Sequence, residues 1–344
     1  MKLQYWFFLL LVVFGCVDPY DTNVPEGVQL VTVDGLITTE PKVHQIRLYR
    51  SARYGTPFDD IVRPFARANV HIRDSEGNIT QLREWADGVY ETPADFAAVI
   101  GRSYTLHFQL VDGRKYSSLP EKALPVAPID SLSIATIQIP SANPLLSRSG
   151  AQIVAHFKDP ADEKNYYQWL PGTSVYVLLA NPELHTTMGM PTPKECCPRC
   201  YRREFFTRPA IQIADDVDFN GQNSGLPVLF VEDNGLRFKE TYRAEITQLS
   251  LSENAYRFLR LAKQQIETEG TIFDPLPANI RSNILNIEDP DETTLGYFYV
   301  ADASKKFIYI KSSDLAFRQN QLTIADDCRV VENSQINPPA DWNP

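Results

Sequence analysis

Three of the chain's five cysteines stand together in Glu195-Cys-Cys-Pro-Arg-Cys-Tyr201, and Cys328 lies well downstream. Thiolates at this spacing support two chemistries. Cys196, Cys197, Cys200 and Cys328 include a C-x-x-C, and four such sulfurs can enclose a structural zinc ion. In an oxidising compartment they pair instead, and four cysteines allow two disulfides in three connectivities. A bond between adjacent Cys196 and Cys197 is expected to be strained. The favoured connectivities therefore tie Cys328 to Cys196 or Cys197, closing a loop of roughly 130 residues worth a few kcal/mol. A redox role for the C-x-x-C lacks the surrounding βαβ pattern.

The compartment decides between zinc and disulfide, and the N-terminus bears on the compartment. The apolar run Tyr5 to Phe14 behind Lys2 is about half the roughly 20 residues a helix needs to cross a bilayer. Charge first, a short apolar core and a small residue at the cut is the layout of a secretory signal peptide. Val13-Phe14-Gly15-Cys16 resembles a bacterial lipobox, with Phe14 bulkier than usual. In a lipobox cleavage precedes the cysteine, whose thiol and new amine are acylated, and several acyl chains anchor stably. Residues 1–15 are thus expected to be a signal peptide, Cys16 the lipidation site, and Cys196, Cys197, Cys200 and Cys328 two disulfides.

The other residues with chemical potential are fewer. Asp216, Asp218 and Asn220 followed by Gly221 match the first half of an EF-hand calcium loop. Its twelfth position is Pro227, which offers no bidentate carboxylate, and no helical pattern flanks it. A polar turn is the expected reading, and no metal or cofactor is assigned. Glu288, Asp289, Asp291 and Glu292 read as a solvated acidic loop. The histidines at 44, 71, 107, 156 and 185 show no ligand spacing. No G-x-G-x-x-G, P-loop, H-E-x-x-H or G-x-S-x-G occurs, so the chain is not read as an enzyme. Aromatic clusters at Tyr166, Tyr167 and Trp169, and at Tyr297, Phe298 and Tyr299, suit either a core or a binding surface. Formal net charge is −10, or −11 once Lys2 is removed, which disfavours nucleic acid and anionic headgroups as partners.

The elements that must position these residues are mostly strands. Residues 16–27 read as a lipidated tether. From 28 to 118, short alternating segments such as His44–Ser51 and Tyr104–Leu110 are separated by turns at Ser75–Asn78 and Asp112–Gly113. That pattern predicts an immunoglobulin-like antiparallel β-sandwich, with His71 and His107 at solvent-facing positions. Residues 119–128 carry three prolines and read as an extended linker. A larger β-rich domain spans 129–335, followed by a tail, 336–344. One clear α-helix interrupts it, at about 251–269. Ser250 and Glu253 suggest a capping box, Gly270 the stop, and Ala255, Phe258, Leu259, Ala262 and Ile266 an apolar stripe. The fold class is mainly β.

Phe273-Asp-Pro-Leu-Pro-Ala-Asn-Ile-Arg-Ser-Asn-Ile284 followed by Leu295-Gly-Tyr-Phe-Tyr-Val300 resembles the hallmark of the DUF4249 lipoproteins of Bacteroidetes. The lipobox, the β-rich first region, the Cys-Cys-x-x-Cys cluster and the later lone cysteine belong to the same pattern. The resemblance implies an outer-membrane lipoprotein often associated with TonB-dependent receptors, and it carries over no catalytic residues.

The expected function is therefore a lipid-anchored outer-membrane accessory or binding protein, partnered by the membrane and by a TonB-dependent β-barrel receptor in nutrient uptake. A structural or assembly lipoprotein of the envelope is the alternative. A hydrolase with a site assembled from distant residues has the least support. Asp18 and Asp21 after Cys16 are compatible with either face of the membrane.

Overall fold

In a computed structural model the described residues are 29–51, 63–139, 148–206, 210–267 and 280–344. The structure is mainly β, and α1, Glu253–Glu267, is the one α-helix among the described residues. No described helix is long and apolar enough to cross a membrane.

Two β-sandwiches make up the described chain. In the first, one sheet runs in the order Leu295–Ala301, Val31–Thr38, Gln45–Arg50, Val89–Glu91, Arg83–Ala86. The facing sheet runs Ile284–Asn286, Lys115–Ser118, Ser103–Gln109, Asn69–Asp74, Ile79–Gln81. Alternation explains the packing: Tyr104, Leu106, Phe108 and Leu110 are all buried, facing Val31, Val33, Ile46 and Leu48 across the core. Gly77 and Gly113 supply the positive φ that the two expected turns require.

The sandwich does not end at residue 118. Ile284–Asn286 pairs with Tyr116 to Ser118, and Leu295–Ala301 pairs in parallel with Thr32 to Thr38. The latter strand is buried on both faces, which accounts for its unbroken apolar run. Phe298 and Val300 enter the first core, whereas Tyr297 packs against α1. At Gly296, φ is +80° and an added Cβ would stand 1.8 Å from the Val33 carbonyl oxygen, so only glycine allows that approach. A boundary drawn by sequence order misses this return, because a sheet edge is filled by whichever strand fits it.

The second sandwich faces a three-stranded sheet (Ile129–Ile139, Arg148–Lys158, Asn223–Glu232) against a seven-stranded one. At the centre of the larger sheet lies Thr241–Ser250, buried over most of its length. Ala303–Lys311 covers one side of it, while Tyr166–Pro171 and Ser174–Leu179 share the other. Phe157, Tyr167, Trp169, Val228 and Tyr242 fill the core between the sheets.

The chain crosses between the sandwiches three times: along 119–128, through the α1 segment, and at Asp302. The 119–128 segment is more than a spacer. Glu121 and Lys122 pair with Tyr104 and Ser103, and Ala123 and Ala127 are buried.

Candidate binding site at the seam of the two sandwiches

Helix α1 lies on the seam. Its N-cap is Ser252, whose Oγ accepts the Ala255 backbone N–H at 3.1 Å. The sequence pattern pointed to Ser250 instead. That side chain is used elsewhere, donating to the Leu124 carbonyl at 2.6 Å and accepting from the Asp302 N–H at 2.9 Å. Of the expected apolar stripe, Ala255 and Leu259 are buried and Phe258 and Ala262 half-buried, while Ile266 is 74% exposed. Gly270 lies outside the described residues. The helix buries its first half on Leu251, Tyr297, Tyr166 and Ile213, side chains from both sandwiches.

Beneath the helix start sits Glu121, only 3% exposed. One carboxylate oxygen accepts the Tyr297 hydroxyl at 2.7 Å and the other the Ser252 hydroxyl at 2.7 Å. Burial outweighs these two donors and raises its pKa above the ordinary glutamate value. Burial first, and then the neighbouring carboxylate, push the Tyr297 phenol well above its usual range. Tyr299, on the same strand, donates to Gln168 of the second sandwich at 3.1 Å. Asn283 clasps the Phe298 peptide from both sides: its amide N–H donates to the carbonyl at 2.7 Å, and its oxygen accepts the N–H at 3.0 Å.

Asp302 completes the joint. Its carboxylate accepts the Thr39 hydroxyl at 2.5 Å and the Val126 N–H at 2.9 Å. One residue thus holds the first sandwich and the 119–128 segment at the point where the chain enters the second.

Beside this network opens a cleft of about 320 Å³. Leu119, Phe258, Leu261 and Tyr297 give it apolar walls, and Arg257 and Arg281 bring positive charge to it. Arg257 pairs with Glu253 at 3.0 Å, whereas Arg281 has no carboxylate partner among the described residues. An apolar concavity with a few polar groups at its edge is the usual form of a small-ligand site. Its chemistry suits an amphipathic anion. A second cavity of about 340 Å³, in the first sandwich, is less suited. Its cation, Arg102, is already held by Asp74 at 3.1 Å and Glu76 at 2.7 Å.

The residues singled out from sequence fall elsewhere. Cys16 and the lipobox lie outside the described residues. The four later cysteines are brought together at one end of the second core, but in the connectivity that geometry argued against: Cys196 with Cys197, and Cys200 with Cys328. The reason is positional. Cys200 lies on Arg199–Glu204 with its side chain fully buried, and buried Cys328 meets it there. The Cys328 N–H donates to the Cys197 carbonyl at 2.9 Å, setting the backbones side by side. Cys196, left outside, pairs with its neighbour, and Cys197 takes a positive φ of 112°.

The calcium candidates form a fastened turn. Asp216 points inward and accepts the Asn165 N–H at 2.8 Å, Asp218 and Asn220 are exposed, and Phe219 packs on the second core. Gly221, at φ +73°, donates its N–H to Asp159 at 3.1 Å. No group of three or more His, Cys, Asp or Glu side chains able to hold a metal occurs among the described residues. Of the aromatic clusters, Tyr167, Trp169 and Phe298 are core, whereas Tyr166, Tyr297 and Tyr299 face the seam.

Glu121, Ser252, Asn283 and Asp302 were not marked out in the sequence. Single polar residues beside prolines or at strand ends carry no periodic signal.

The family model described as a domain of unknown function, DUF4249, matches residues 17–306. Cys328 and the tail lie beyond the matched span. No curated protein matches the chain.

Proposed function

The chain belongs to the DUF4249 family, and from that premise we propose a lipid-anchored accessory or binding protein of the outer membrane that works with a TonB-dependent β-barrel receptor in nutrient uptake. The observation that carries the reading is the lipobox Val13-Phe14-Gly15-Cys16 behind a short apolar run. An acylated Cys16 anchors the chain stably. The tether of residues 16–27 would then join the lipid to the first sandwich, whose first strand starts at Val31. The seam cleft supports a binding role, because apolar walls from α1, Leu119 and Tyr297 with arginines at the edge have the form of a small-ligand site.

Crosslinking in intact membranes followed by purification of the native lipoprotein tests this. The expected result is stoichiometric recovery of a large β-barrel together with the chain. A stably monomeric protein with no barrel partner overturns it. A deletion phenotype in envelope integrity, with growth on every nutrient intact, favours a structural lipoprotein instead.

A further inference from the structure

The outer face of the first sandwich carries a pair of side chains that the seam does not use. His71 and His107 are direct partners across the antiparallel strands Asn69–Asp74 and Ser103–Gln109. Their rings stack with centroids 5.0 Å apart and planes 21° from parallel. Both are half-exposed, while Val70, Ile72, Leu106 and Phe108 beside them are buried. The backbone under the pair is therefore held by the core.

The surroundings favour free imidazole. Gln81 stands opposite His71 and Ser117 opposite His107, both neutral. The charged strand neighbours are Arg73, paired with Thr105, and Lys115, paired with Gln109. None of these paired positions is a carboxylate that would hold the rings protonated. Burial, with Arg73 adding to it, lowers the pKa of His71; burial, then His71 and Arg73, lowers that of His107. Both shifts favour the unprotonated rings, whose nitrogens carry free lone pairs.

We infer that His71 and His107 form a two-imidazole site for a divalent first-row transition cation, Zn²⁺ or Cu²⁺, on the outer face of the first sandwich. Opposed residues of an antiparallel pair hold their Cβ atoms about 4.5–5.5 Å apart. Two Zn–N bonds of roughly 2.0–2.1 Å span ~3.4 Å between nitrogens at a tetrahedral angle. Rotation of the two rings about χ1 and χ2, out of their present stack, is the movement the site would need to reach that spacing. Imidazole suits both cations. Water fills the remaining coordination positions, beside the Gln81 and Ser117 side chains.

Titration of the full, untagged chain with Zn²⁺ by calorimetry, and with Cu²⁺ while following the histidine Cε1–H resonances, tests the site. One Zn²⁺ is expected to bind per chain, and Cu²⁺ to broaden two imidazole resonances first. His71→Gln and His107→Gln should each remove one of those resonances and weaken Zn²⁺ binding at least about tenfold. His156→Gln should leave both readouts unchanged. Absence of saturable binding overturns the inference, as does undiminished binding in the double variant. Equal broadening of all five histidines of the native chain also overturns it, without any variant having to fold.

Discussion

The Tyr297 hydroxyl donates to the Glu121 carboxylate at 2.7 Å across 176 residues of sequence. This bond joins the strand that returns to the first sandwich to the segment that leaves it. With Ser252 on the other oxygen, a single buried carboxylate also anchors the N-cap of α1. Tyr297→Phe leaves one buried oxygen unpaired and should cost about 1–3 kcal/mol of unfolding free energy in urea. The folded pKa of Glu121 is raised, chiefly by burial. Its contribution to stability is therefore fully present below its unfolded value and is lost as pH rises through its folded value. Glu121→Gln should flatten that fall; an unchanged pH profile would remove Glu121 from the account.

Asp302→Ala should loosen the joint without unfolding either core. It strips acceptors from Thr39 and Val126 at once, at a cost of about 2 kcal/mol. Faster limited proteolysis within 119–128 is the expected readout, and native-like resistance there would refute the clamp.

The Cys200–Cys328 disulfide closes a loop with a sequence separation of 128. Replacing both residues by serine should lower stability by roughly 4–5 kcal/mol in the chain-entropy model. Non-reducing peptide mapping should recover the 200 and 328 peptides joined; recovery of Cys328 joined to Cys196 or Cys197 would contradict the structure.

His44 is 3% exposed, with Nε2 at 2.9 Å from the Thr38 hydroxyl. Burial lowers its pKa to about 4. A depressed histidine leaves stability intact above its unfolded value, near 6.5, and loses it as pH falls from there towards about 4. The loss amounts to ~3 kcal/mol by linkage. Thermal melts of the native chain and His44→Gln should converge as pH falls through that window, since only the native chain carries this slope.

Cys16→Ser should abolish incorporation of labelled palmitate and release the chain from the membrane fraction. Retention with full labelling would place the lipid elsewhere.

Much of the fold was legible because period-two alternation reports which face of a strand is buried. Spacing alone assigns Tyr104, Leu106, Phe108 and Leu110 to the core, and it places the start of α1 within two residues of Glu253. The N-cap was misplaced by two residues, since Ser250 and Ser252 both suit the role and tertiary partners chose between them. Local geometry disfavours a bond between neighbours, so spacing alone points away from the observed Cys196–Cys197 and Cys200–Cys328 pairs. The proximity of Cys200 and Cys328, which overrides that preference, is a property of the assembled core. The seam was illegible: Glu121, Asn283 and Asp302 are isolated polar residues whose partners are set by long-range packing.

The sequence by itself determined the β class, the position of the helix, the lipobox pattern at Cys16 and the family resemblance. All of these are read from residues close together along the chain. Only the tertiary structure decided that Leu295–Ala301 belongs to the first sandwich, that Glu121 meets Tyr297 and that His71 faces His107. Each depends on which strand edges pair, and hydrogen bonding and burial settle that only when distant segments meet.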